Sequence, residues 1–247
     1  HGAALMIEEG ILENPKVDAI FGYHNIPTLP KNKIIVREAC ILAGATLFNI
    51  EVKGVGGHSS APEKAIDPVY IGSTIVQALQ SIVSRTLSPF DPAVISVTQF
   101  HAGSADNVIP DKAILRGTIR FTDNQLIDEI KNKMKHITEN IAKSLGGEAI
   151  VDFPQTTPAT INAKAETQFI KSLASELFGE ENVIDLKNNL MATEDFSFFL
   201  NKVPGCFFFV GTGVDKHYVH HPKFVFDDEI LPIAAELLAM AALKYLS

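Results

Sequence analysis

Apolar and polar positions along the chain follow two different periods. Phe48, Ile50 and Val52 alternate with Asn49, Glu51 and Lys53, which predicts a half-exposed strand over residues 47–53. A second alternating strand is expected over 113–120, and strand-like runs lie at 94–99 and 148–153. Pro68 can open a helix at its first turn, and Ile71, Ile75, Val76, Leu79, Ile82 and Val83 continue it at helical spacing. Residues 124–145 form a long amphipathic pattern, with Leu126, Ile130, Met134, Ile137 and Ile141 on one stripe and Gly146-Gly147 at its end. The order strand, helix, strand, strand, helix, strand is the ferredoxin-like split βαβ arrangement. It predicts a sheet with two helices on one face and the other face open.

The flanking segments read differently. Residues 1–10, HGAALMIEEG, favour a helix stopped by Gly10, with no Ser, Thr, Asp or Asn cap before it. Residues 17–23 read as a buried strand ending at His24, followed by a loop from Pro27 to Pro30. From Ala163 the pattern predicts a helix to about Phe178, then a strand at 183–186, a short helix at 194–200 with acids in its first turn, a buried strand at 207–211 and a closing helix at 229–246. The expected fold class is α/β with two domains. Pieces 1–43 and 158–247 make one incomplete α/β domain, and the ferredoxin-like βαββαβ unit, 44–157, is inserted between them.

Composition narrows the classes. The chain has 247 residues, 46% of them apolar and 20% charged, enough for one large or two medium cores. A net charge of -8 without a long basic run argues against a nucleic-acid partner. Cys40 and Cys206 are far apart and in no C-x-x-C spacing, so neither a disulfide framework nor a structural zinc site is expected, and a reducing cytoplasm fits. No apolar run reaches the roughly 18 residues of a membrane span. The start has no basic region and no signal-peptide pattern.

Several side chains could carry chemistry. His24 ends a strand, where α/β folds place their sites, although a lone histidine there is more often structural. His220 and His221 precede Pro222. Such a pair can bind metal, but on a strand only one of them could face a given ion. His58 follows Gly56-Gly57 and precedes Ser59-Ser60, in a loop that glycine allows to turn sharply or approach a ligand. The loop lacks the Walker and dinucleotide patterns, and no G-x-S-x-G elbow supports a serine hydrolase. Arg120 could clamp a carboxylate and Asn107 could add a donor; taken alone, both are ordinary surface residues. Glu194-Asp195-Phe196 is a carboxylate pair or a set of helix-start acids. His101 lies in a loop, and His136 on a helix surface.

Together, VDAIFGYHN (17–25), KGVGGHSSAPEKAIDPV (53–69), NVIPDKAILRGTIR (107–120), MATEDFSFFL (191–200) and VHHPKFVFDDE (219–229) resemble the metal-dependent amidohydrolases that include hippurate hydrolase, plant auxin-conjugate hydrolases and bacterial N-acyl-amino-acid deacylases. The segments run in the family's order. The resemblance implies hydrolysis of the amide of an N-acyl amino acid by two divalent metals per active site, with zinc, manganese, cobalt and nickel equally compatible. It implies that His24 and His220 are metal ligands. His58 would be a lid histidine that reaches the partner subunit's site and stabilises the oxyanion. Asn107 and Arg120 would hold the substrate carboxylate or the transition state, and Gly57 would shape the His58 loop. It also implies that 44–157 is a lid through which a homodimer forms. The family's other ligands and its general base sit in an early C-G-H-D segment and a Glu-Glu pair, which would precede residue 1; Glu8-Glu9 lies within the first predicted helix and is not that pair. The expectation is a C-terminal portion of such an enzyme, inactive by itself. The alternatives are a non-catalytic dimerising module and, on Gly54–Gly57 alone, a nucleotide-binding domain.

Overall fold

The computed structural model describes residues 2–213 and 217–247; His1, at the head of the first expected helix, lies outside them. In chain order the elements are α1 (Gly2–Glu8), β1 (Ile20–Ile26), β2 (Ile34–Val36), β3 (Ala39–Leu42), β4 (Gly44–Lys53), β5 (Gly57–His58), α2 (Pro68–Ser81), β6 (Ala93–Ala102), β7 (Val108–Ile109), β8 (Lys112–Phe121), α3 (Leu126–Ser144) and β9 (Glu148–Thr157). They continue with β10 (Thr160–Asn162), α4 (Lys164–Phe178), β11 (Val183–Asp185), α5 (Ser197–Leu200), β12 (Gly205–Gly211) and α6 (Leu231–Tyr245). The chain divides into two compact units, His1–Ala43 with Pro158–Ser247, and Gly44–Thr157. Among the described residues no helix is long and apolar enough to cross a membrane.

The unit of residues 1–43 and 158–247 is built on a sheet in the order β1-β12-β2-β11. β12 lies parallel to β1 and antiparallel to β2. All seven residues of β12 are buried, because both of its faces are covered. Cys206, Phe208 and Val210 pack with Ile170 and Leu173 of α4 and Ala234 and Leu237 of α6. Phe207 and Phe209 pack on the other side with Ile26, Ile35, Ile41 and Phe196. A strand buried on two faces reads as a continuous apolar run and not an alternation. The buried Asn162 holds β12 in place: its Nδ2 donates to the Phe207 carbonyl at 2.7 Å and to the Arg37 carbonyl at 3.0 Å, and its Oδ1 accepts from the Phe207 N–H at 2.7 Å.

Several expected boundaries shift here. β1 begins at Ile20, not Val17, and does not end at His24 but runs to Ile26, because β12 supplies a parallel partner for every residue from Ile20 to Ile26. The short strands β2, β3 and β10 have three or four residues each, too few to display a period. Glu194 and Asp195 do not open a helix; α5 begins only at Ser197.

The unit of residues 44–157 has the sheet order β6-β8-β4-β9, antiparallel throughout. Numbered within the unit, the strands lie 4-1-3-2, the ferredoxin-like order. Phe48, Ile50 and Val52 of β4 and Leu115, Ile119 and Phe121 of β8 share one core with Ile71, Ile75 and Leu79 of α2 and Ile130 and Met134 of α3. Both helices therefore cover the same face. Asp67 caps α2, its Oδ1 accepting from the Val69 N–H at 2.8 Å, and Pro68 fills the first turn, where a missing N–H costs nothing. β9 extends through Pro154 to Thr157, beyond the expected strand; it is an edge strand, where proline is tolerated. His101 lies within β6, not in a loop, since β8 pairs it with Ile114.

Candidate functional site

His24 takes its direction from the alternation of β1. Phe21 and Tyr23 pack toward α4 and α6, so Gly22 and His24 face the opposite side, that of α5. A Cβ on Gly22 would lie 2.6 Å from the Phe196 ring, so the absence of a side chain there lets Phe196 rest on β1 beside His24. The His24 Nδ1 is 2.6 Å from the Asn25 carbonyl oxygen. A carbonyl only accepts, so in the neutral ring Nδ1 carries the hydrogen and Nε2 keeps its lone pair. A metal-ligating histidine is prepared in this way, by donating its other N–H to a backbone carbonyl or carboxylate.

Two carboxylates lie on the same side. Asp195 Oδ2 accepts from the Ala3 N–H at 3.1 Å. Glu194 is raised above the ordinary carboxylate range, chiefly by burial; the N–H of Phe196 and the nearby His24 act against the rise, and Asp195 adds to it. A carboxyl whose pKa is higher folded than unfolded has its full stabilising contribution below the unfolded value and loses it as pH rises through the folded value. Glu194→Gln is therefore expected to match the parent chain in acid and to become the more stable of the two as pH rises to neutrality. Melting temperatures between pH 4 and 8 test this; a gap that does not grow with pH contradicts it.

His220 lies in a turn with φ 70°, not on a strand, so the argument that adjacent histidines face opposite ways does not apply to it. Its neighbour His221 accepts the Lys223 N–H on Nδ1 at 3.1 Å and stacks on His217 with ring centroids 4.3 Å apart. Downstream, Lys31 joins Asp227 at 2.5 Å and Glu229 at 2.8 Å. Hydrogen bonding to Lys31 holds Asp227 below the ordinary carboxylate range, and Lys31 is raised in turn, first by Asp227. Among the described residues no group of three or more His, Cys, Asp or Glu side chains could hold a metal ion. His24 leaves its Nε2 lone pair unused by the Asn25 contact, and the described residues around it do not make up the three or four ligands that catalytic and structural zinc sites show.

The residues 44–157 present a second group. β5 and β7 pair so that Gly57 faces Ile109 and His58 faces Val108, and the Ser59 N–H donates to the Asn107 carbonyl at 3.0 Å. His58 and Asn107 are thereby brought together. The bend before them needs a glycine: a Cβ at Gly54 would lie 2.1 Å from the Ile66 carbonyl. At Gly57 a Cβ would meet Ala65 Cβ at 3.1 Å, so the loop closes tightly on residue 65. His58 Nδ1 accepts the Ser60 N–H at 3.2 Å and lies 2.8 Å from Ser60 Oγ. A backbone N–H only donates, so the neutral His58 ring carries its hydrogen on Nε2, the reverse of His24. Ser60 was not among the expected site residues, although a serine two positions after a histidine is placed for such a local bond. Arg120 is elsewhere. It is the next-to-last residue of β8, eight residues from Lys112, which is roughly 26 Å along an extended strand. The β5–β7 pair adjoins the Lys112 end, where the Gly54 N–H donates to the Asp111 carbonyl at 2.8 Å.

Residues 1–244 match the family model described as Peptidase family M20/M25/M40. The chain belongs to that family. It is 39% identical over 245 residues to the hippurate hydrolase of Campylobacter jejuni, covering 99% of this chain and 64% of that protein. It is 36% identical to an IAA-amino acid hydrolase of Arabidopsis thaliana, covering 99% of this chain and 57% of that one. Among solved structures it resembles the YXEP protein of Bacillus subtilis, described as a dinuclear metal binding peptidase from the M20 family, with a TM-score of 0.82, 30% identity, and coverage of 99% of this chain and 61% of that one. The M20 chain thus spans less than two thirds of the length of these relatives.

Proposed function

We propose that this M20 chain is part of an enzyme that hydrolyses the amide bond of N-acyl amino acids, with two divalent metals in the complete site. The observation that carries this reading is the pair of opposite tautomers. His24 presents a bare Nε2 suited to a metal, and His58 presents an Nε2–H suited to a developing oxyanion. When bound, such metals acidify a water and polarise the substrate carbonyl. On this reading His24 and His220 are the ligands contributed by this chain, and the other ligands and the general base lie on residues outside it. Asn107 and Arg120 bind the substrate carboxylate or the transition state, and 44–157 acts as lid and dimerisation domain. The separation of His58 and Asn107 from Arg120 along β8 supports the dimer, since one small substrate cannot touch both ends of one copy.

The test uses the longer protein with its metals. It is expected to hydrolyse N-acyl amino acids and to lose activity on chelation. His24→Ala is expected to weaken metal binding by more than the roughly 10–100-fold that losing a supporting partner costs, read as metal content after dialysis. Full metal content and unchanged activity in that variant would sink the proposal. The second reading, a non-catalytic dimerising module, draws on β6, an edge strand whose last five residues are exposed. Light scattering that finds only monomers at high concentration removes it.

A further inference from the structure

The turn that carries His58 is pinned by an acidic side chain that the site described above does not use. β4 ends at Lys53, and the residues after it are held by a run of backbone contacts. The Gly54 N–H donates to the Asp111 carbonyl at 2.8 Å, and Val55 and Ile66 exchange bonds of 2.9 Å in both directions. Gly57 and His58 then pair with Ile109 and Val108. That pairing stops at Ile109, and Pro110, which has no N–H to extend it, follows. Gly56 lies between the two sets of contacts, and Asp111 reaches it: Oδ1 accepts the Gly56 N–H at 2.9 Å. Glycine at 56 allows this approach, since a Cβ there would lie 2.7 Å from Asp111 Oδ1 and 2.9 Å from the Ile109 carbonyl oxygen. Asp111 therefore holds the turn at two N–H groups, with its carbonyl at Gly54 and its carboxyl group at Gly56.

We infer that Asp111 is the positioning residue for His58: its side chain fixes the turn from which the His58 Nε2–H is presented to substrate. This role rests on the N-acyl-amino-acid reading above. The His58 ring bonds to Ser60, two residues on, and these local bonds travel with the turn. They set which nitrogen carries the hydrogen, but not where the ring stands relative to the sheet. That is set by what ties residues 54–59 to 107–111: the Asp111 carbonyl at Gly54, the β5–β7 pairs, the Ser59 bond to the Asn107 carbonyl at 3.0 Å, and the Asp111 side chain at Gly56. Asp111 supplies the one tie in this set made by a side chain, so it can be removed without breaking the others. It is an exposed residue, and its loss opens no cavity.

Amide hydrogen exchange of the 247-residue chain tests the tie without recourse to turnover. Asp111→Ala is expected to speed exchange at Gly56 and Ser59 about tenfold and to leave α2 and α3 unchanged, because the opening is local. Asp111→Asn keeps an acceptor oxygen, though a neutral one, and is expected to stay within about threefold of the parent. Asp111→Glu moves the acceptor by one methylene, is expected to speed exchange at Gly56 about threefold, and decides the matter if the alanine variant fails to fold. In the longer, metal-loaded protein, Asp111→Ala is expected to lower kcat about tenfold with KM little changed, less than the roughly 10²-fold of a group misplaced by 1 Å. Combined with His58→Ala it is expected to cost nothing further, because both changes remove one donor. A merely structural role would lower kcat equally in both backgrounds. Unchanged exchange at Gly56 and Ser59 in the alanine and glutamate variants, or an Asp111→Ala loss that persists in full without His58, overturns the inference. Failure of the longer protein to hydrolyse any N-acyl amino acid overturns the catalytic reading instead, and the exchange rates still decide whether Asp111 holds the turn.

Discussion

His58→Ala, made in a longer protein that holds the whole metal shell, is expected to lower kcat about 10²–10³-fold, equivalent to about 2.7–4 kcal/mol of transition-state stabilisation. KM should change little, because a donor aimed at a developing oxyanion acts mainly in the transition state. The expectation rests on the ring's tautomer. The Ser60 N–H occupies Nδ1, so Nε2 is the donor, and it requires no reorganisation when charge appears. His58→Gln retains an N–H donor and is expected to recover part of the loss. Ser60→Ala should cost less than His58→Ala, since the backbone N–H at Nδ1 survives the substitution and only the hydroxyl contact at 2.8 Å is lost. Steady-state kinetics on one N-acyl amino acid decide this. A His58→Ala variant within threefold of the parent kcat would remove His58 from the chemistry.

The second large effect is on stability. Phe208→Ala is expected to destabilise the unit of residues 1–43 and 158–247 by about 3–5 kcal/mol, the range for emptying a buried aromatic site. Phe208 is fully buried, and its ring stacks on Tyr23 with centroids 5.9 Å apart and planes inclined by 20°. The two residues are direct register partners across β12 and β1, one position before the His24–Phe209 pair. The cavity therefore opens beneath the strand that aims His24. Denaturant midpoints measure the loss, and amide hydrogen exchange locates it: protection should fall most in β1 and β12. A change below about 1 kcal/mol, typical of sites that are not packed, would show that the aromatic layer is not what holds β1.

Periodicity is a local property, and the elements that depend on it were legible in the sequence. The stripe of α3 and the alternation of β4 assign the core of the unit of residues 44–157, because a strand with one covered face must alternate and a helix with one covered face must repeat every three to four residues. The five motif segments likewise announce the M20 family, because their residue types and order do not depend on coordinates. Partners across the fold decided the rest. β1 reaches Ile26 because β12 lies beside it, and His101 belongs to a strand because β8 pairs with it. Asn162 looks like any polar residue near a strand end until three backbone groups are found around its amide. The same holds for the chemistry. That His24 and His58 are functional candidates follows from the residues around them in the sequence. Which nitrogen of each ring is free follows only from what faces Nδ1, a carbonyl in one case and an N–H in the other, and a ring's neighbours in space are set by the folded chain.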